Sequence, residues 1–207
     1  MYKRQIHTRY EDTGESMSDE KIVDELITLI QAGHDTTATT LAWITYLLAK
    51  HPLKQQKLLA ELAKKEVQNE YLNAVIHESM RLYPTSWLVE RTAMADDQFG
   101  EYLYPKGTMI IGFYYGLHRS PQLWENALTF NPERFVADPK LATSKKFYPF
   151  GAGPRKCIGL HFAMAEMAYF MTALIQQFEL TTNQKKPKIS ALATLRPDKI
   201  LVNIKRR

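Results

Sequence analysis

The run from Ser18 to Lys50 constrains the fold more than any other part of the chain. Ser18 is a ready N-cap, Asp19 and Glu20 put acid in the first turn, and Pro52 marks the stop. At about 1.5 Å per residue, a helix of this span is a rod of roughly 48 Å, long enough to cross a whole domain. Ile22, Val23, Leu26, Ile27, Leu29, Ile30, Leu41, Trp43, Ile44, Leu47 and Leu48 surround nearly its full circumference. A helix apolar all round is buried, so a central helix is expected. Its middle, Gly33-His34-Asp35-Thr36-Thr37, carries charge and hydroxyls that are costly in lipid. The run therefore reads as a buried helix rather than a membrane span.

Further helices are expected at about Leu53 to Lys65, Glu70 to Leu82 (closed by Tyr83-Pro84) and Ile158 to Phe178. Ser86 to Arg91 reads as a short strand, and Glu101 to Leu117 as two strands around the turn Pro105-Lys106-Gly107. Phe178 to Thr182 and Ile200 to Ile204 read as a terminal strand pair. The expected architecture is mainly α with small peripheral β-sheets. Met1 to Gln5 fit no element, and residues 1–16 are set apart as an extension, open to a non-native origin.

Composition bounds the function. Hydrophobic residues make up 45% and charged residues 24%, which excludes a disordered or fibrous chain. A net charge of +5 is too small and too scattered to argue for nucleic acid. With no apolar signal core in Met1 to Ser18 and no span, the expected location is cytoplasmic. One cysteine excludes an internal disulfide and a zinc site built on several thiolates.

That cysteine sits in the most informative stretch, Phe150-Gly151-Ala152-Gly153-Pro154-Arg155-Lys156-Cys157-Ile158-Gly159. The glycines and the proline demand a tight, sterically open backbone just before a long apolar helix. The sulfur is then expected near a helix N-terminus, with Arg155 and Lys156 adding positive potential, as a nucleophile or a metal ligand. A small core residue is the bland alternative. It leaves Gly153 and Gly159 unexplained, and these suit something broad and flat lying against the backbone. A Cys157/His161 dyad is improbable.

In the long helix, Ala32 and Gly33 would let a flat ligand approach, and Thr36 can bond the carbonyl four residues back. A break at Gly33, with Asp35 or Thr36 capping a second helix, fits the residues equally well. Glu78 and Arg81 lie at i and i+3 on one helix face, a spacing found mostly in solvated surface pairs.

The cysteine stretch resembles the heme-binding signature F-x-x-G-x-R-x-C-x-G of the cytochrome P-450 family at every specified position. Ala32-Gly33-His34-Asp35-Thr36-Thr37 is similar to that family's oxygen-activation groove, A-G-x-[D/E]-T-[T/S]. Glu78-Ser79-Met80-Arg81 resembles its E-x-x-R helix, and Pro132-Glu133-Arg134-Phe135 its P-E-R-F segment. The resemblance implies the C-terminal, heme-binding half of the cytochrome P-450 fold over residues 17–207. It implies heme b (iron protoporphyrin IX) as cofactor, Cys157 as axial thiolate, and Arg155 on a heme propionate. Phe150, Gly151, Gly153, Gly159, Ala32 and Gly33 would line the heme site. Thr36 and Asp35 would manage proton delivery to dioxygen, and Glu78, Arg81 and Arg134 would form a buried network. Arg91 and, more weakly, His118 are propionate candidates, with a surface or turn role equally open for both.

The implied activity is a heme-thiolate monooxygenase, an oxidoreductase placing one atom of O2 into a small organic substrate. Electrons would come from NAD(P)H through a reductase or ferredoxin. The family's N-terminal half is missing from the match, so poor solubility and weak heme retention are expected. A catalytically inactive heme-binding module or truncated pseudoenzyme, and a heme-free interaction protein using a basic face, are the alternatives.

Overall fold

A computed structural model describes residues 9–64 and 69–207. The expectations for Met1 to Gln5 and for a helix end at Lys65 lie outside these residues. Helix α1 runs Asp19–Lys50 without a break, so Gly33 neither ends a helix nor begins one. The Ser18 hydroxyl accepts the Lys21 N–H at 3.2 Å, supplying one of the bonds that a helix start leaves open. Then follow α2 (Pro52–Leu62), α3 (Glu70–Leu82), the short α4 (Tyr114–Leu117) and α5 (Glu133–Ala137), and the long α6 (Leu160–Gln177). Among the described residues, no helix is long and apolar enough to cross a membrane.

The core lies between the C-terminal half of α1 and α2, α3 and α6. Trp43, Ile44 and Leu48 meet Leu58, Val75, Ile76, Met171 and Ile175, all with no exposed surface. Trp43 stacks on Tyr83 with ring centroids 3.8 Å apart and planes 4° apart. Its indole N–H donates to the Leu195 carbonyl at 2.9 Å, which joins α1 to the end of α3 and to a distant strand. The N-terminal half of α1 departs from expectation: Val23, Ile27 and Ile30 are 52%, 57% and 67% exposed. Only the second half has helices packed around it, so apolar periodicity here marks a stripe that no described element covers.

Among the described residues, four small antiparallel sheets surround this core. Strand β1 (Val89–Thr92) pairs with β4 (Met109–Gly112), and β2 (Asp97–Phe99) with β3 (Tyr102–Tyr104). The turn at Pro105–Gly107 lies between two strands, as expected. It joins β3 to β4, which belong to different sheets, and the Gly107 N–H donates to the Ala93 carbonyl at 2.8 Å. Strand β5 (Phe178–Thr181) pairs with β8 (Asn203–Arg206), close to the pair expected there. Between them β6 (Ile189–Ala191) pairs with β7 (Leu195–Pro197).

Candidate functional site

The loop ahead of α6 is shaped by two glycines and three main-chain bonds. Gly151 and Gly153 both have φ of 69°, a left-handed conformation that a Cβ disfavours. The Gly151 N–H donates to the Tyr148 carbonyl at 3.2 Å, Lys156 to Gly153 at 3.1 Å, and Cys157 to Phe150 at 2.9 Å. Helix α6 begins only at Leu160, so the sulfur lies in the lead-in loop rather than inside the first turn. The Cys157 side chain is exposed. Gly159 has an ordinary φ of −82°, and a Cβ there would stand 3.8 Å from the sulfur. Its lack of a side chain keeps that flank of the thiol open. The left-handed backbone angle by itself favours glycine at Gly153, and the space a Cβ would take there is open, with nothing within 4 Å.

The thiol opens into a cleft of about 430 Å³, within the range of small-molecule sites. Ala32, Gly33 and Thr36 of α1 form one wall, and Phe150, Gly151, Cys157 and Gly159 the other; Arg91 and Arg155 also reach it. The Gly33 position is open, with nothing within 4 Å of an added Cβ. The Thr36 hydroxyl donates to the Ala32 carbonyl at 2.8 Å, the i−4 bond expected of it. The Arg91 Nη1 donates to the Glu90 carbonyl at 2.7 Å.

Asp35 and His118 do not line this cleft. The Asp35 carboxylate turns away to accept the Thr194 hydroxyl at 2.8 Å. His118 is fully buried, and its Nε2 accepts the Tyr148 N–H at 2.9 Å. Burial first, and then the neighbouring Arg81 charge, hold its pKa down to about 3. A neutral ring enclosed in protein cannot meet a propionate, which corrects the expectation for His118.

The Glu78 carboxylate is enclosed by donors. Arg81 grips it with Nε at 2.8 Å and Nη2 at 2.9 Å, and the Asn131 N–H adds a bond at 2.9 Å. The Arg134 Nε approaches at 3.2 Å. The Arg81 Nη1 also donates to the carbonyls of His118 and Ala127, each at 2.7 Å. Glu78 and Arg81 have no exposed side-chain surface, so the surface reading of the pair does not apply.

Thr194, Tyr114 and Phe162 went unnoticed in the sequence. Phe162, in the first turn of α6, lines the cleft together with Ile158 of the lead-in loop. Thr194 meets Asp35 across 159 residues, and no local pattern carries such a contact.

The Cytochrome P450 family profile matches residues 1–205. The chain belongs to the cytochrome P450 family. It is similar to "Cytochrome P450 3A31" of Mesocricetus auratus, 36% identical over 211 residues covering 95% of this chain and 42% of that protein. "Cyclooctat-9-en-7-ol 5-monooxygenase" of Streptomyces melanosporofaciens is 34% identical over 186 residues, 84% of this chain and 40% of that one. A crystal structure of a cytochrome P450 (CYP102L1) superposes with a TM-score of 0.88 at 26% identity, covering 98% of this chain and 49% of that one. The chain therefore spans less than half the length of these relatives, and its fold is a portion of the P450 fold.

Cytochromes P450 bind heme, and the residues at this cleft fit such a group. A lone thiol, flanked by Gly159, faces a helix wall left open at Gly33. The fixed cations Arg91 and Arg155 suit acidic substituents.

Proposed function

We propose that residues 17–207 are the C-terminal, heme-binding half of a cytochrome P450 monooxygenase and that Cys157 would hold iron protoporphyrin IX through its sulfur. The observation that carries this reading is the meeting of one exposed thiol, two arginines and a small-residue helix wall in a single cleft. When bound, the heme supplies dioxygen activation, with one oxygen atom entering an organic substrate and the other leaving as water, on electrons from NAD(P)H through a reductase or ferredoxin.

The chain's own residues do the rest. Cys157 would hold the iron through its sulfur, from a loop closed by its own N–H. Arg91 and Arg155 offer planar, charge-assisted donors to the propionates. Phe150 and Phe162 give the cleft an apolar lining. Thr36 holds a proton at Oγ1 on the cleft wall, and Asp35, one residue earlier, holds its carboxylate against Thr194. Thr36 thus suits proton delivery from the α1 side, with Asp35 next to it in the chain but outside the cleft lining.

The test is heme titration of the chain, reduction, and addition of carbon monoxide. A strongly red-shifted Soret band in wild type, absent from Cys157→Ala, is the expected outcome. An unchanged band in the variant overturns the reading. The exposure of Val23, Ile27 and Ile30 on the helix that supplies the cleft wall favours a second reading, a heme-binding module without turnover. Heme uptake without product formation from any supplied substrate and reductant separates the two.

A further inference from the structure

We infer that His118 is a positioning residue for the cysteine loop, its ring nitrogen Nε2 tying that loop to the helix that carries Glu78 and Arg81. The Tyr148 N–H donates to Nε2 at 2.9 Å. A ring nitrogen that accepts carries no proton, so the single imidazole proton of the neutral ring belongs to Nδ1. His118 has no exposed surface, so no water can replace it as the partner of Tyr148.

The main chain and the ring faces of the residue are equally committed, while the buried Nδ1 has no hydrogen-bond partner among the described residues. Its carbonyl accepts the Arg81 Nη1 at 2.7 Å, and its N–H donates to the Tyr114 carbonyl at 2.8 Å. The ring stacks on Tyr114, with planes 7° apart, and packs against Phe147 at 5.2 Å. From Tyr148 the connection runs on through bonds already described. The Tyr148 carbonyl accepts from Gly151, and the Phe150 carbonyl accepts from Cys157. One residue thus fixes the start of the segment whose end bears the thiol. A loop of glycines has little stiffness of its own, so its register depends on such an anchor.

The predicted effect on heme ligation rests on the heme-thiolate reading above; the positioning of the loop does not. The test therefore begins with the 207-residue chain without heme, using His118→Phe, which keeps an aromatic ring but has no acceptor, and His118→Gln, which keeps one. Amide hydrogen exchange at Tyr148 is expected to be at least tenfold faster in His118→Phe, measured against the amides of α3, and to return toward wild type in His118→Gln. Wild-type protection of Tyr148 in His118→Phe overturns the inference, as does equal loss of protection in both variants. Should His118→Phe not fold, nitrogen-15 shifts of the wild-type ring decide: an unprotonated Nε2 at neutral pH supports the role, and a protonated Nε2 overturns it. With heme added, the red-shifted carbon monoxide band is expected to persist in His118→Gln and to fail in His118→Phe. A wild-type chain with no such band sinks the heme-thiolate reading and leaves the exchange result standing.

Discussion

Gly33 lies in the middle of α1 with open space around the position of a Cβ, whereas Gly153 has equal space but a φ of 69°. Alanine at the two sites therefore does opposite things. Gly33→Ala removes a glycine from a helix interior and should raise stability by about 0.5–1 kcal/mol in urea unfolding. The same methyl narrows the cleft wall, so heme affinity, measured by titration on the same preparation, should fall. Gly153→Ala should cost about 1–2 kcal/mol from backbone strain alone. A variant of Gly33 that loses stability, or one that gains stability and binds heme as before, contradicts the role given to it. Glu78→Ala acts through charge. It leaves Arg81 fully buried with neither of its carboxylate bonds, and a loss of about 3–5 kcal/mol is expected in the same assay. These residues were legible because each stands in a short pattern with fixed spacing. His118 and Thr194 were not, since their partners lie 30 and 159 residues away.

Helices α1 and α3 were readable almost to the residue because their signals are local: Ser18 before the first turn of α1, Tyr83-Pro84 after the last turn of α3. Strands were readable as extended segments but not as pairs. Pro105–Gly107 has the chemistry of a hairpin turn, yet which strands align depends on what each packs against. The interface of α3 with α5 and the cysteine loop also sets the acid limit. His77 of α3 packs against Phe135 of α5 at 5.4 Å and against Phe147 at 5.9 Å, and burial holds its pKa at about 4. His118, beside Arg81, Tyr114 and Tyr148, is held at about 3. For both, the folded state binds fewer protons than the unfolded state once pH drops below the ordinary value of 6.5. Their contribution is complete above that pH and is lost as the pH falls toward 4 and 3 respectively. Glu133 acts in the same direction at lower pH. Burial opposes its charge, but hydrogen bonds from Lys54 and Lys57 prevail and hold its pKa at about 2, so its share is lost as pH falls from 4.5. Urea midpoints measured against pH should therefore decline below about 6.5. His77→Phe should flatten that decline without moving the neutral-pH midpoint by the amount of a lost core residue.

At the scale of the whole molecule the chain has one well-packed end and one bare one. Val23, Ile27 and Ile30 follow each other at spacings of four and three, a single stripe running toward the cleft wall at Ala32 and Gly33. All three are more than half exposed, and Phe162, Tyr169 and Phe170 of α6 add exposed rings. An exposed apolar stripe on a helix favours association in water. Folding stability, by contrast, comes from the other half of α1, where Trp43, Ile44 and Leu48 are sealed. The two properties should therefore separate. Replacing the stripe with Val23→Glu, Ile27→Lys and Ile30→Glu alternates charge at helical spacing and removes nothing from the core. Sedimentation over a concentration series should show the wild-type chain associating and the triple variant remaining smaller, with unfolding free energies within about 0.5 kcal/mol of each other. A loss of several kcal/mol in the triple variant would mean that the stripe is buried and that the division of α1 into a packed half and a bare half is mistaken. The same comparison bears on the cleft, because α1 supplies its wall: a triple variant that stays dispersed, folds normally and still takes up heme shows that the site is held by the packed half of the helix alone.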